Sequence, residues 1–269
     1  MRARCLLLAG LMSLCAESVH ADRRVTRIAT TNDYPPFSYC VDGSYACTAP
    51  GDGLTGFDVD IARALCDEAN LECEIAVYPW PDLLDLLEAG EIDAIVASMA
   101  ITEARLLRVD FTDKYYSSPP WLAALTSRGY PTGGTGFPGW LAGKSVGYQP
   151  GTIFESLLDL WISEGLAVQK GQPHATLAEA TEDLLAGTVD LVLADSISLT
   201  LSVVNTHPGI IALVGPPIDG PIDITGRGAG VAVRKGDKLR DRLSKAIRKI
   251  RDRGIYQLIS DAYFGRDIY

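Results

Sequence analysis

The run Leu87-Glu88-Ala89-Gly90-Glu91-Ile92-Asp93-Ala94-Ile95-Val96-Ala97-Ser98 is echoed later in the chain by Leu184-Leu185-Ala186-Gly187-Thr188-Val189-Asp190-Leu191-Val192-Leu193-Ala194-Asp195. Both copies read as the end of a helix, a glycine that stops it, an aspartate, a short apolar strand and a polar residue where the strand ends. A short apolar run fed by a helix and bounded by turn signals marks a strand of a parallel sheet, buried on both faces. Two copies therefore predict two similar βαβ units and an α/β fold. The copies differ where they end. The first ends in Ser98 and leads to Arg105; the second ends in Asp195.

The rest of the chain supplies the same kinds of element. Residues 27–31 read as a first strand, ending at Asn32-Asp33-Tyr34-Pro35-Pro36-Phe37, and residues 38–55 as a Gly/Ser/Cys-rich loop. A helix opens at Gly56-Phe57 and runs through Ala69, with Phe57, Ile61, Ala64, Leu65 and Ala69 on one face. Residues 72–78 read as a strand. Trp80 and Pro81 precede a helix carrying Leu83, Leu84, Leu86 and Leu87, and the first copy of the strand follows at 92–97. Further strands are expected at 121–126, 145–148 and 230–234. Helices are expected at 153–164, from Leu239 to a stop at Gly254, and from Ile255 to Phe264. Residues 209–230, rich in Gly, Pro and Asp, read as a crossing segment.

Two polar positions stand out. Thr102 fits an N-cap, which puts Arg105 in the first turn of a short helix. A cation there works against the helix dipole by about 0.3–1 kcal/mol, and local rules are usually broken for function. A guanidinium, the Ser98 hydroxyl and free backbone N–H groups at the end of a parallel strand make a carboxylate receptor. The competing reading is a solvated Arg105 paired with Glu103 or Asp110. The turn Gln149-Pro150-Gly151-Thr152 would also expose N–H groups to an anion, or serve as an ordinary strand-to-helix turn. Asp195 reads either as a cap for the segment starting at Ser196 or as an anion facing Arg105 across a cleft. In the second case one unit offers a cation and the other an anion, which matches a zwitterion such as an α-amino acid.

Composition narrows the setting. Arg2 and Arg4, an apolar run from Leu6 to about Ala16, and Val19-His20-Ala21 form the pattern of a secretory signal peptide, residues 1–21, cleaved after Ala21. Leu14 precedes Cys15 where a lipobox has a small residue, which argues against a lipid anchor. The formal net charge of −10 excludes nucleic acid as a natural partner. Beyond the signal lie Cys40, Cys47, Cys66 and Cys73, which allow three pairings. The local pairs Cys40–Cys47 and Cys66–Cys73 are favoured, in keeping with an exported chain. The cysteine spacings are not those of a zinc site, and His174 and His207 stand alone, so no metal or other cofactor is expected.

Four segments together resemble the extracellular solute-binding proteins of polar amino acid ABC transporters (family 3), the group that includes lysine/arginine/ornithine- and histidine-binding proteins. They are Gly56-Phe57-Asp58-Val59-Asp60-Ile61-Ala62, Asp93 through Arg105, Val109-Asp110-Phe111-Thr112-Asp113-Lys114-Tyr115-Tyr116, and Ala262-Tyr263-Phe264-Gly265. The resemblance implies a two-lobe, type II periplasmic-binding-protein-like α/β fold with two crossing strands, near residues 117–120 and 215–220, and a ligand cleft. Lobe 1 would comprise residues 22–117 and 219–269, and lobe 2 residues 118–218. It implies a periplasmic monomer that passes an amino acid to a membrane permease. Arg105 matches the arginine that clamps the ligand α-carboxylate, helped by backbone groups near Ala100 and Thr152. Asp195 matches the aspartate that takes the α-ammonium, with Ser98. Tyr34 and Trp80 match the aromatic pair around the ligand side chain. Cys66 and Cys73 match a disulfide of the basic amino acid binders. Ala97, Ala100 and Ile153 replace hydroxyl residues of those binders, and Thr31 replaces an acidic residue that Asp33 would have to stand in for. The alternative on the same fold is a cyclohexadienyl (prephenate/arogenate) dehydratase. The inferred cleft holds no His or displaced Glu to act as its general acid.

Overall fold

In a computed structural model of the chain, which describes residues 25–269, the two copies of the motif fold alike. The signal-peptide reading and Cys15 fall outside the described residues. Gly90 and Gly187 end their helices, Leu83–Ala89 and Leu177–Ala186, in the same left-handed conformation. The hydrogen bonds match as well. Gly90 and Glu91 donate to Leu87 and Leu86, while Gly187 and Thr188 donate to Leu184 and Asp183. The aspartates then do the same work. Asp93 accepts the backbone N–H of Arg27 on the neighbouring strand at 3.0 Å, and Asp190 accepts that of Ser145 at 3.0 Å.

Each copy lies at the centre of a five-stranded sheet. The first sheet runs Cys73–Val77, Thr26–Thr30, Ala94–Ile95, Ala229–Arg234, Val109–Tyr116. The second runs Gln169–Pro173, Ser145–Tyr148, Leu191–Asp195, Pro120–Leu125, Ile211–Val214. In both, three parallel strands are followed by two that continue the sheet in antiparallel pairing. The chain leaves the first sheet after Tyr116 and enters the fourth place of the second at Pro120. It leaves the second after Val214 and enters the fourth place of the first at Ala229. The two halves thus exchange a strand each way.

Strand alternation distributes the core. Ile28, Ala94, Val231 and Val233 face helices Phe57–Glu68, Leu239–Asp252 and Ile255–Phe264, whereas Ala29, Ile95 and Ala232 face Leu83 and Leu87. A separate cluster fills the second sheet, with Phe154, Leu157, Leu158 and Trp161 on one side and Leu177, Ala180 and Leu184 on the other helix. The disulfides are Cys40–Cys47 and Cys66–Cys73.

Several segments depart from the sequence reading. Residues 209–230, expected as a crossing segment, hold strand Ile211–Val214 of the second sheet and the short helix Ile222–Thr225. Residues 38–55 are not all loop: Ser38–Cys40 pairs with Asp33–Tyr34 on one side and Leu54–Thr55 on the other in a small antiparallel sheet. Its order comes from the Cys40–Cys47 bridge and from Asp52, which accepts from Thr48 and Ala49, rather than from apolar periodicity. The strand expected over 92–97 pairs regularly only at Ala94–Ile95. Asp93 and Val96 still extend its hydrogen bonds to Arg27 and Ala29. The edge strand Gln169–Pro173, Gln-Lys-Gly-Gln-Pro, has no alternation of apolar side chains and gives no hydrophobic signal.

Candidate functional site

The parallel strands of both sheets end around one cavity of about 490 Å³. All seven residues singled out from the sequence lie on its wall: Tyr34, Trp80, Ser98, Ala100, Arg105, Thr152 and Asp195. This is where ligands bind in open α/β sheets, beyond the carboxyl ends of the strands.

Arg105 is held there by its surroundings. The segment before it is pinned to residues 227–230 by an Ala100–Ala229 bridge and by hydrogen bonds between Ile101 and Gly228 and between Gly230 and Met99. The Thr102 hydroxyl accepts from Arg105 N at 3.3 Å and caps helix Glu103–Arg108. The guanidinium donates to the carbonyl of Ala100 at 3.0 Å and, from across the cleft, to that of Gly151 at 3.1 Å. Its carbon sits 5.3 Å from the centre of the Trp80 ring. The carboxylates that could have neutralised it are engaged elsewhere: Glu103 with Arg227 at 2.6 Å, Asp110 with Lys235 at 3.2 Å. Among the described residues no carboxylate pairs with Arg105, and burial holds its pKa down at about 10.

Asp195 ends its strand as the mirror case. Its Oδ1 accepts from Ile197 N at 2.8 Å and Ser198 N at 3.2 Å, so it is a helix cap. It also faces the cavity, buried to 6% exposure, with no cation paired to it among the described residues. Burial pushes its carboxyl up to about 6, although the Ser118 hydroxyl and the two N–H groups pull the other way. The two readings of Asp195 describe one side chain.

The remaining wall follows from the fold. Thr152 caps helix Ile153–Ser163, accepting from Phe154 N and donating to the Gln149 carbonyl. That helix N-terminus faces the cavity, and its dipole favours an anion there. Tyr34 stacks on Phe37 with ring centres 5.6 Å apart and packs against the cores of both halves. Ala97, Ala100 and Ile153 are at the wall without hydroxyls. Thr31 shares a hydrogen bond of 3.0 Å with Ser38. Asp33 is half-buried on the wall, its carboxyl raised by burial and drawn back by the Thr31 hydroxyl. Sequence reasoning missed Ser118, Phe154 and Asp219, which also line the cavity, as does Gln149 of the Thr152 turn. Their position next to the crossings and to the Thr152 turn was the available signal.

Ser98 has an unusual backbone, with φ 52° in the left-handed region. Its N–H donates to the Tyr115 hydroxyl at 2.9 Å and its own hydroxyl donates to Asp58 Oδ2 at 2.8 Å. The Tyr115 hydroxyl donates to Asp58 Oδ1 at 2.7 Å, closing a ring. Asp58 is wholly buried, and burial raises its carboxyl to about 7 despite these donors.

Comparison with known proteins places this geometry. The model of bacterial extracellular solute-binding proteins, family 3, matches residues 26–266. The L-arginine-binding protein of Pseudomonas aeruginosa is 34% identical over 274 residues, covering 100% of this chain and 99% of that one. The histidine-binding periplasmic protein of Salmonella typhimurium is 32% identical over 246 residues, covering 90% of this chain and 88% of that one. Among solved structures, an ancestral arginine-binding protein bound to arginine superposes with a TM-score of 0.75 at 26% identity. That match covers 89% of this chain and 98% of that one.

Proposed function

The chain belongs to the bacterial extracellular solute-binding proteins, family 3, and from that premise we propose that it captures a basic α-amino acid in the periplasm and delivers it to an ABC-type membrane permease. The family and the relatives are solute-binding proteins and not enzymes, and the dehydratase alternative finds no support among them.

The observation that carries the proposal is a pair of uncompensated charges on one cavity wall. Arg105 comes from the first half and Asp195 from the second. The α-carboxylate docks on Arg105 and the N-terminal turn at Thr152, and the α-ammonium on Asp195 and Ser98. Tyr34 and Trp80 flank the side chain. Among the described residues, three carboxylates line the cavity, Asp33, Asp195 and Asp219, against the one guanidinium of Arg105. A zwitterionic head group balances Arg105 and Asp195, so the remaining negative charge favours a cationic side chain. Asp33, beside Thr31, is the acceptor for it. The names of the arginine- and histidine-binding relatives agree with a basic ligand.

Residues 22–117 with 219–269 form one lobe and residues 118–218 the other, working as a monomer. A ligand that touches both lobes only when they are closed shifts the population toward the closed state by its differential affinity. Calorimetric titration of refolded residues 22–269 with the common amino acids, prephenate and arogenate tests the reading. Tight binding of L-arginine or another basic amino acid without turnover is expected. No amino acid binding, or conversion of prephenate or arogenate, would refute it.

A further inference from the structure

Asp58 takes no part in the site as described so far, yet it is a buried carboxylate directly behind the cavity wall. Every hydrogen in its ring is committed inward. The Ser98 N–H goes to Tyr115, and the hydroxyls of Tyr115 and Ser98 both go to Asp58. A serine hydroxyl has one proton and two acceptor lone pairs. With the proton held by Asp58, Ser98 presents only acceptor character to the cavity. Without Asp58 the same hydroxyl could turn and donate to an anion.

We infer that Asp58 is a positioning residue that fixes the polarity of Ser98, so that whatever ligand group sits against Ser98 must be a hydrogen-bond donor such as an α-ammonium. The left-handed backbone of Ser98 fits this role. Strained geometry of that kind persists where the surroundings over-determine it, and here the Tyr115–Asp58 pair holds both the main chain and the side chain of Ser98. The inference rests on the amino acid reading of the cavity.

The test compares L-arginine with its des-amino analogue, 5-guanidinopentanoate, by calorimetry. Asparagine at position 58 can donate to Ser98 and turn its proton into the cavity. Asp58→Asn should therefore reduce the preference for the amino compound by about tenfold or more, the scale of a hydrogen bond to a charged group. In a Ser98→Ala background the same change should alter that preference by less than about twofold, since the residue it acts through is gone. An unchanged preference in Asp58→Asn, or an equal loss in both backgrounds, would overturn the inference while leaving the amino acid reading intact. Should Asp58→Asn not fold, Ser98→Ala alone serves: loss of the Ser98 acceptor should reduce the preference for the amino compound by about tenfold or more, and an unchanged preference would overturn the inference. A wild-type protein that does not bind L-arginine would remove the premise and the inference together.

Discussion

Replacing Asp195 by asparagine should make the ligand-free protein more stable and the complex weaker. The side chain is buried, no cation among the described residues pairs with it, and its carboxyl is raised from 3.8 to about 6. A folded-state pKa above the unfolded value means that the contribution to stability is fully present below the unfolded pKa and is lost as pH rises through the folded one. About two pKa units at 1.36 kcal/mol each give about 3 kcal/mol of cost at neutral pH. The N–H bonds from Ile197 and Ser198 are already included, since they pull the pKa down. Asparagine retains an oxygen for them and caps a helix about as well as aspartate. Asp195→Asn should therefore gain up to about 3 kcal/mol at pH 7–8, or about 6–12 °C in Tm for a chain of this size. The gap should close as pH falls from 6 to below 4, where the wild-type carboxyl is itself neutral. Thermal melts of refolded, ligand-free protein across that window measure it. The same variant should lose about 10- to 150-fold in affinity for L-arginine but little for 5-guanidinopentanoate. A variant less stable at pH 8, a stability difference independent of pH, or equal affinity losses for both compounds would refute the reasoning.

Arg105→Ala should lower amino acid affinity by at least about 30-fold, the lower end of what truncating one partner of a desolvated charge pair costs. Far-UV circular dichroism should be unaltered, because Arg105 bonds only two carbonyls and stacks on Trp80. Unchanged affinity would remove the site assignment. Asp33→Asn should cost L-arginine about five- to tenfold and leave neutral amino acids within about twofold, as fits a half-buried carboxylate acting on a cationic side chain. Calorimetry with L-arginine and L-glutamine in parallel checks this, and equal losses for both would show that Asp33 does not meet the side chain.

Much of this architecture was legible because it is built from local devices. Gly90 and Gly187 stop helices, Thr102 and Thr152 start them, and the apolar runs beside Asp93 and Asp190 become central strands. Asp195 was visible as the polar end of its strand, and Arg105 as a cation in the short helix that follows the first strand. What escaped depends on partners distant in sequence. Gln169–Pro173 has no apolar alternation and becomes a strand because Ser145–Tyr148 offers it an edge. At Gly171 a side chain would meet Val189 at 2.8 Å and Val146 O at 3.0 Å, a constraint that only the folded neighbours impose. Asp58 sits within the Gly56-Phe57-Asp58 run as an ordinary first-turn acid. Its use depends on Ser98 and Tyr115, which are 40 and 57 residues away. Gly56 carries the same lesson, since a Cβ there would fall 2.2 Å from the Phe37 carbonyl oxygen.

The repeated motif explains how one cavity comes to hold opposite charges. Its structural half is the same in both copies: the glycine stop, and the aspartate that reaches to the next strand. Asp93 is fully compensated. Burial works against its charge, but Arg27 and Arg234 hold its carboxyl at about 2. Asp190 is likewise engaged, by Ser145 and Tyr130. The charged residue that each copy leads to differs in sign. In the second copy an aspartate takes the helix-cap position that favours a negative charge, so its placement is locally stable even though its desolvation is not relieved. In the first copy an arginine is the third residue of the six-residue helix Glu103–Arg108, and two carbonyls and an indole ring take the place of a counter-ion. One carbonyl, that of Gly151, belongs to the other half, so Arg105 already spans the cleft. On the proposed reading, an α-carboxylate at Arg105 would bring the charge that the fold withholds, and the ammonium on the same ligand would do so for Asp195. Binding would then relieve a desolvation cost on each side of the cleft at once, and a ligand carrying only one of the two groups would relieve only one.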